Sequence, residues 1–295
     1  MAHPSWIEML CCPVCQGSFH LEARSIRCEK KHSFDFAREG YLHLLPSGQA
    51  RRGIGGDTLP MLQARRRFLE SGAYAPLAAA LLAQFPPSKP PEKEQVVVDV
   101  GCGEGYYTAA ISNHIKSTCC VGVDVSREAV RLASRRRTMS AAEGPHFVVA
   151  DGKLTLPLHA GVVDVVVGVF APRNPGEFAR VLAPRGLLLI AIPNAGHLHE
   201  LRARFGGIGI EVDKQAHLST QLAPFFEADG EVVWEQTLQL SATAVHDLLH
   251  MTPQHHHVAV DAGSESLAVS ASVRVLRFRK RIGAGVRGAA AESRR

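Results

Sequence analysis

The sequence has no basic stretch followed by an apolar run at its start, and no apolar run near the ~20 residues that cross a bilayer. A transmembrane helix is thereby excluded, no membrane partner is expected, and a cytoplasmic location is. An even cysteine count is also missing. The seven cysteines cluster unevenly, which argues against a disulfide framework and fits a reducing compartment. There is no internal repeat. A uniformly basic body is absent too. Of the net charge of +5, the segment from Arg274 to Arg295 supplies +7 through eight Lys/Arg and one Glu, leaving the rest near −2. A terminal block of like charge is expected to be solvated or disordered, with nucleic-acid contact as the alternative.

What is present divides into four parts. Residues 1–45 form a Cys-rich unit, and 46–95 a linker and helical connection. Residues 96–280 alternate between strands and helices, and 281–295 are a basic tail. Met61 to Phe85 reads as helix, broken near Ser71-Gly72. The run Pro86 to Gln95 is a linker, because consecutive prolines stop a helix. Short apolar runs then recur at Val96–Val100, Cys119–Val125, His146–Ala150, Val162–Phe170 and Leu187–Ile192, separated by helical stretches. Such runs read as strands buried on both faces of a parallel sheet. Glu231–Leu240 and Ala271–Arg279 alternate more clearly, as edge-side antiparallel strands do.

The first constellation is Cys12-Pro-Val-Cys15, twelve residues, then Cys28-Glu-Lys-Lys-His32. Two closely spaced pairs can aim four soft-to-borderline ligands at one point, the closed tetrahedral arrangement of structural zinc. A unit this small buries little core of its own, so metal binding would supply much of its folding free energy. Cys11 competes with Cys12, but only Cys12 gives the two-residue spacing. Five basic and five acidic residues balance within this unit, so its net charge gives no support for phosphate binding.

The second constellation is Asp99-Val-Gly101-Cys-Gly103-Glu104-Gly105. Its spacing is not the Gly-x-Gly-x-x-Gly of dinucleotide sites. An acidic Asp99 before the turn suits the ammonium of S-adenosylmethionine better than a pyrophosphate. Asp124 ends the next strand, where acceptors bind ribose hydroxyls. Asp151 ends the third strand, where adenine would lie; its alternative is a simple strand cap.

These residues lie within a larger pattern. Phe34-Asp35-Phe36-Ala37-Arg38-Glu39-Gly40-Tyr41 through Pro46, Met61-Leu-Gln-Ala-Arg65-Arg66, Ser71-Gly72-Ala73-Tyr74 and Gly101 to Tyr107, behind the zinc quartet, resemble the 23S rRNA guanine-N1 methyltransferases. The resemblance runs from Cys12 to about Pro253. The run Phe170-Ala171-Pro172-Arg173-Asn174-Pro175 is similar to the branch that confers tylosin resistance. The resemblance implies a class I methyltransferase fold, a Rossmann-like seven-stranded and mostly parallel sheet preceded by a small zinc-ribbon-like module. It implies zinc on Cys12, Cys15, Cys28 and His32. It implies S-adenosylmethionine contacts from Tyr74, Gly103, Glu104 and His197. The implied substrate is a guanine in a 23S rRNA hairpin loop near the macrolide site. The zinc module is implied to face the RNA, the protein to form a homodimer, and macrolide resistance to be a consequence.

Guanine N1 carries a proton at neutral pH and lies on the pairing edge, so the base must be unpaired or extruded. Phe170 is a candidate to stack on it, with core packing as the alternative. Arg173 and Asn174 are candidates to bind O6, and no catalytic base is identifiable. His255-His256-His257 departs from the family pattern, where aromatics often stand, and a second metal site is a minor reading of it. Two other functions compete: a small-molecule methyltransferase with an incidental zinc module, and a non-enzymatic zinc-ribbon RNA-binding protein.

Overall fold

The apolar run at Val96 forms the inner strand of a large sheet in the computed structural model, which describes residues 6–45, 57–87, 94–115, 118–136, 144–205, 214–252 and 266–283. The His255-His256-His257 triplet and all of the basic tail beyond Gly283 lie outside the described residues. So do most of the Pro86–Gln95 linker and the loop up to Gly56.

A small antiparallel sheet of β1 (Phe19–Glu22), β2 (Ser25–Cys28) and β3 (Ser33–Asp35) builds the N-terminal unit. Then come β4 (Leu42–His43), α1 (Leu59–Glu70) and α2 (Ala75–Leu82). The two helices are split at Ser71–Tyr74, as the Ser-Gly pair predicts. The alternating core follows: β5 (Gln95–Val100), α3 (Tyr106–His114), β6 (Thr118–Asp124), α4 (Arg127–Arg136), β7 (His146–Val149), β8 (Val163–Val169), α5 (Pro175–Val181) and β9 (Leu182–Pro193). The chain ends in α6 (His199–Phe205), α7 (Lys214–Leu222), β10 (Phe226–Leu240), α8 (Ala242–His250) and β11 (Leu267–Lys280).

The large sheet has the order β10-β11-β9-β8-β5-β6-β7-β4. Strands β9 through β4 are parallel, and β11 and β10 are antiparallel additions at one edge. The chain winds from β5 outward to β7, then crosses to β8 and winds the other way. The crevice between the carboxyl ends of β5 and β8 is therefore the topological switch point, where ligands bind in open α/β sheets.

The sheet has eight strands where seven were expected, because β4 adds to its edge: Leu42 pairs with Val148 and His43 with Val149. The sequence hides this strand, since two residues carry no periodicity and their partner lies about a hundred positions away. The N-terminal unit is also docked by backbone bonds from Cys11 N to Pro157 O at 3.0 Å and from His159 N to Met9 O at 2.9 Å. Leu10, Ile26 and Leu42 share one buried cluster with Val98, Val121 and Val148 of the sheet. Each such side chain contributes roughly 1.5–3 kcal/mol on burial, so the docking is strong. Trp6 stacks on His146 with ring centroids 4.4 Å apart.

Candidate functional site

Four ligand atoms in the N-terminal unit converge. The Sγ atoms of Cys12, Cys15 and Cys28 and a ring nitrogen of His32 all lie within 4.8 Å of one another. Cys12 Sγ is 3.5 Å and Cys28 Sγ 3.3 Å from His32 Nδ1, and Cys15 Sγ is 3.6 Å from Cys28 Sγ. Zinc with bonds near 2.3 Å in a tetrahedron sets its ligands about 3.8 Å apart, so the spacing fits. Burial pushes the Cys12 thiol up to about 11, so a thiolate there needs a cation beside it. Cys11 stays outside the cluster, with its thiol directed to Gln16 Oε1 at 3.4 Å. The quartet that converges is therefore Cys12, Cys15, Cys28 and His32, and its geometry fits structural zinc.

At the switch point lies a cavity of about 460 Å³. Gly101 lets it form: its φ is +76°, and a Cβ there would come within 2.6 Å of the Ala171 Cβ. The turns after β5 and β8 meet at that glycine, which only a residue without a side chain permits. Gly103 donates its N–H to Asp124 Oδ2 at 2.9 Å, and Ser126 donates to Oδ1 at 2.8 Å. These bonds hold Asp124 at the cavity wall beside Val123 and Val125, although burial pulls its pKa upward. Glu104 also lines the cavity, nearly buried, 3.3 Å from Arg136. Asp151 lines it from beyond β7 and accepts the Lys153 N–H at 2.9 Å.

Tyr74 and His197 close the other end. His197 Nδ1 accepts the Ser272 N–H at 3.1 Å, so in the neutral ring Nε2 carries the proton. Burial holds the imidazole down at about 4, so it is neutral in the working range. Its Nε2–H then donates to the Tyr74 hydroxyl at 3.3 Å. Burial pushes the Tyr74 phenol well up, so it too stays protonated. Phe170 stands over this pair in a left-handed conformation, φ +53°, which is costly for an aromatic residue. Its ring is 43% exposed and stacked on His197 at 6.1 Å. It lines the cavity, so the core-packing alternative does not describe it.

Four expected contacts are corrected by the geometry. Asp99 does not line the cavity: strand alternation turns it away from Val100, which does, and toward α3. There it accepts the Thr108 hydroxyl at 2.6 Å, and burial pushes its pKa up to about 7. Gly105 caps α3 with φ +83°, and a Cβ there would meet Ala133 Cβ at 2.9 Å, so it serves helix packing away from the cavity. Asn174 is the N-cap of α5, accepting the Glu177 N–H at 3.3 Å and donating to Lys153 O at 2.9 Å. Its amide is thus spent on structure rather than on a base. Arg173 is half-buried and lies outside the cavity lining.

Sequence reasoning missed Arg65, Asp57, Lys153 and Tyr107, all of which line the cavity. Arg65 pairs with Asp57 and donates to Met251 O at 3.0 Å, which ties α1 to the end of α8 as a roof. The only available signal was its place in the run Met61–Arg66.

Known proteins bear on this arrangement. A family model described as RlmA, N-terminal, with a zinc ribbon, matches residues 10–52. A second, described as protein-L-isoaspartate(D-aspartate) O-methyltransferase, matches residues 73–206. A Micromonospora griseorubida protein assigned as a candidate 23S rRNA (guanine-N(1)-)-methyltransferase is 37% identical over 94% of this chain and 99% of its own length. The 23S rRNA (guanine(748)-N(1))-methyltransferase of Streptomyces fradiae is 35% identical over 89% of this chain and 91% of its own. A Bacillus subtilis protein of the same candidate assignment is 29% identical over 83% of this chain.

Proposed function

The chain belongs to the 23S rRNA (guanine-N1-)-methyltransferase family, and from that premise we propose that it methylates N1 of the guanine corresponding to position 748, in a hairpin loop of the rRNA. The observation that carries the reading is the union of a glycine-walled cavity at the switch point with a zinc-ribbon unit docked beside it. A small-molecule methyltransferase or a bare RNA-binding scaffold does not account for both.

The cavity's residues suit S-adenosylmethionine. Asp124 offers its carboxylate to the two ribose hydroxyls, and Asp151 lies toward the adenine. Gly101 and Gly103 let the backbone approach the nucleoside, and Glu104 lies beside them. Tyr74 and His197 line the end toward β8 and β9, where the methionine part would extend. When bound, the cofactor supplies an already activated methyl group.

The chain's own residues then orient the base. Phe170, held in its left-handed turn, offers an exposed face on which an extruded guanine stacks. Methyl transfer forms the N1–carbon bond and requires the N1 proton to leave. His197 is unsuited to take it, because Nδ1 is engaged by Ser272 and Nε2 already carries hydrogen. Positioning is therefore the larger contribution of this site. In this reading the module of residues 1–45 recognises the RNA, the protein works as a homodimer, and protection against a macrolide is the biological outcome.

Primer extension on 23S rRNA after incubation with protein and cofactor tests the proposal, since N1 methylation blocks pairing. A stop at the guanine corresponding to 748 is expected. No stop, with methyl transfer to a metabolite extract instead, would overturn it. Light scattering decides the dimer.

A further inference from the structure

A second cavity, of about 540 Å³, opens between the zinc knuckle and the loop that follows β7. Pro13 and Gln16, which follow the ligand cysteines Cys12 and Cys15, form one wall, and Leu154 and Thr155 the other. Asp151 and Lys153 line this cavity and the cofactor cavity alike, so the two adjoin across the Asp151–Lys153 turn. Junctions between folded units are favoured places for ligand sites.

The chemistry of the lining selects an occupant. Two carboxylates, Asp151 and Glu177, face it, which disfavours a phosphate in its interior. Glu177 is already engaged by Arg180 at 2.7 Å and by the Leu156 N–H at 2.9 Å. Asp151 uses Oδ1 for the Lys153 N–H. What remains is an acceptor on Asp151, the Thr155 hydroxyl and the Gln16 side-chain amide nitrogen. Gln16 Oε1 takes the Cys11 thiol, and among the described residues its amide nitrogen has no partner. Leu154, 42% exposed, gives an apolar edge beside them. An apolar edge beside a carboxylate acceptor, a hydroxyl and an amide donor suits a planar heterocycle carrying amino groups. Lys153 sits at the boundary, is exposed, and has no carboxylate in ion-pair range among the described residues.

We propose that this cavity binds the base of the nucleotide next to the target guanine, and that Lys153 holds the phosphate between the two. The proposal rests on the rRNA reading above. Unstacked loop bases splay apart in sequence-specific RNA recognition, which would place one base in each cavity. The zinc ion would then shape one wall of a base pocket next to the methylation site, and so set which loops are accepted.

The test uses the full-length zinc-loaded protein and a short RNA hairpin carrying the target guanine. An abasic nucleotide is placed on either side of it in turn. For the native protein, one of the two abasic hairpins should raise KM about tenfold, the size of a lost base-stacking contact. Gln16→Ala and Thr155→Val should each raise KM for the intact hairpin, and neither should add its full effect to that of the abasic nucleotide. Thr155→Val lies outside the zinc unit, so it keeps the test sound if Gln16→Ala disturbs folding. Lys153→Ala should weaken binding of all hairpins alike and lower the salt slope by about one. Insensitivity to both abasic positions, or fully multiplying effects, would overturn this inference alone. A native protein that leaves the hairpin unmethylated would overturn the rRNA reading and this inference with it.

Discussion

His197 donates its Nε2–H to the Tyr74 hydroxyl because its other nitrogen is committed to the Ser272 amide. One backbone bond from β11 thus sets the direction of a hydrogen bond at the cavity wall. Tyr74 is left with its own O–H free to donate toward a ligand. Tyr74→Phe removes that donor and strands the imidazole N–H. Affinity for S-adenosylhomocysteine should fall about 3- to 10-fold in calorimetry, the worth of one neutral hydrogen bond. Unchanged affinity would remove Tyr74 from the cofactor site.

Asp124 is held by two backbone amides, so its carboxylate is oriented before any ligand arrives. Hydrogen bonds to a charged group are worth more than neutral ones. Asp124→Ala should weaken S-adenosylhomocysteine by roughly 10- to 100-fold, with Phe170 and the RNA-facing surface untouched. RNA binding measured without cofactor should therefore persist. Loss of both together would mean that the substitution had unfolded the domain.

Metal removal should reach further than the zinc unit. Leu42 and His43 pair with β7, and Leu44 donates to Val149 O at 3.0 Å, two residues before Asp151. Chelation should lower the melting temperature, stop rRNA methylation, and weaken cofactor binding several-fold without abolishing it. Readdition of zinc should restore all three. Cofactor affinity indifferent to chelation would show that the docked unit and the cavity are energetically separate.

Asp99 should make stability fall as pH rises. Burial raises its pKa from 3.8 to about 7, so the folded protein binds this proton more tightly than the unfolded chain. The contribution is full below 3.8 and is lost as pH climbs through about 7. Asp99→Asn keeps an acceptor for Thr108 and cannot ionise. Thermal melts from pH 4 to 8 should therefore show a shallower decline for the variant than for the native protein. Parallel curves would mean that Asp99 is ionised in the folded state across this range.

Local spacing made much of the protein legible. Val96–Val100 and Val162–Phe170 are apolar apart from Asp99 and Asp164, because the strands they form are covered on both faces. Cys12, Cys15, Cys28 and His32 could be read because ligands on neighbouring turns must sit at short intervals to reach one ion. A Ser shortly before a Glu is a local helix-start pattern, and at the head of α4 Ser126 Oγ accepts the Ala129 N–H at 3.2 Å. Asp124 was found by its place at a strand end.

Contacts between distant segments were beyond that kind of reading. Arg65 reaches the cavity only because α1 packs on α8, nearly two hundred residues on. Asp99 looked like a ligand for an ammonium, but which face of β5 it occupies depends on where α3 packs. Asn174 looked available to a base until its amide was found capping α5 and bonded to Lys153 O. Sequence by itself determined the strands and helices of the alternating core, the zinc quartet and the glycine turn, since each follows from bond geometry over a few residues. Only tertiary structure decided that β4 joins the large sheet, that Phe170 turns its ring into the cavity, and that Lys153 stands between two pockets. Those outcomes depend on which surfaces bury one another, and burial is a property of the whole folded chain.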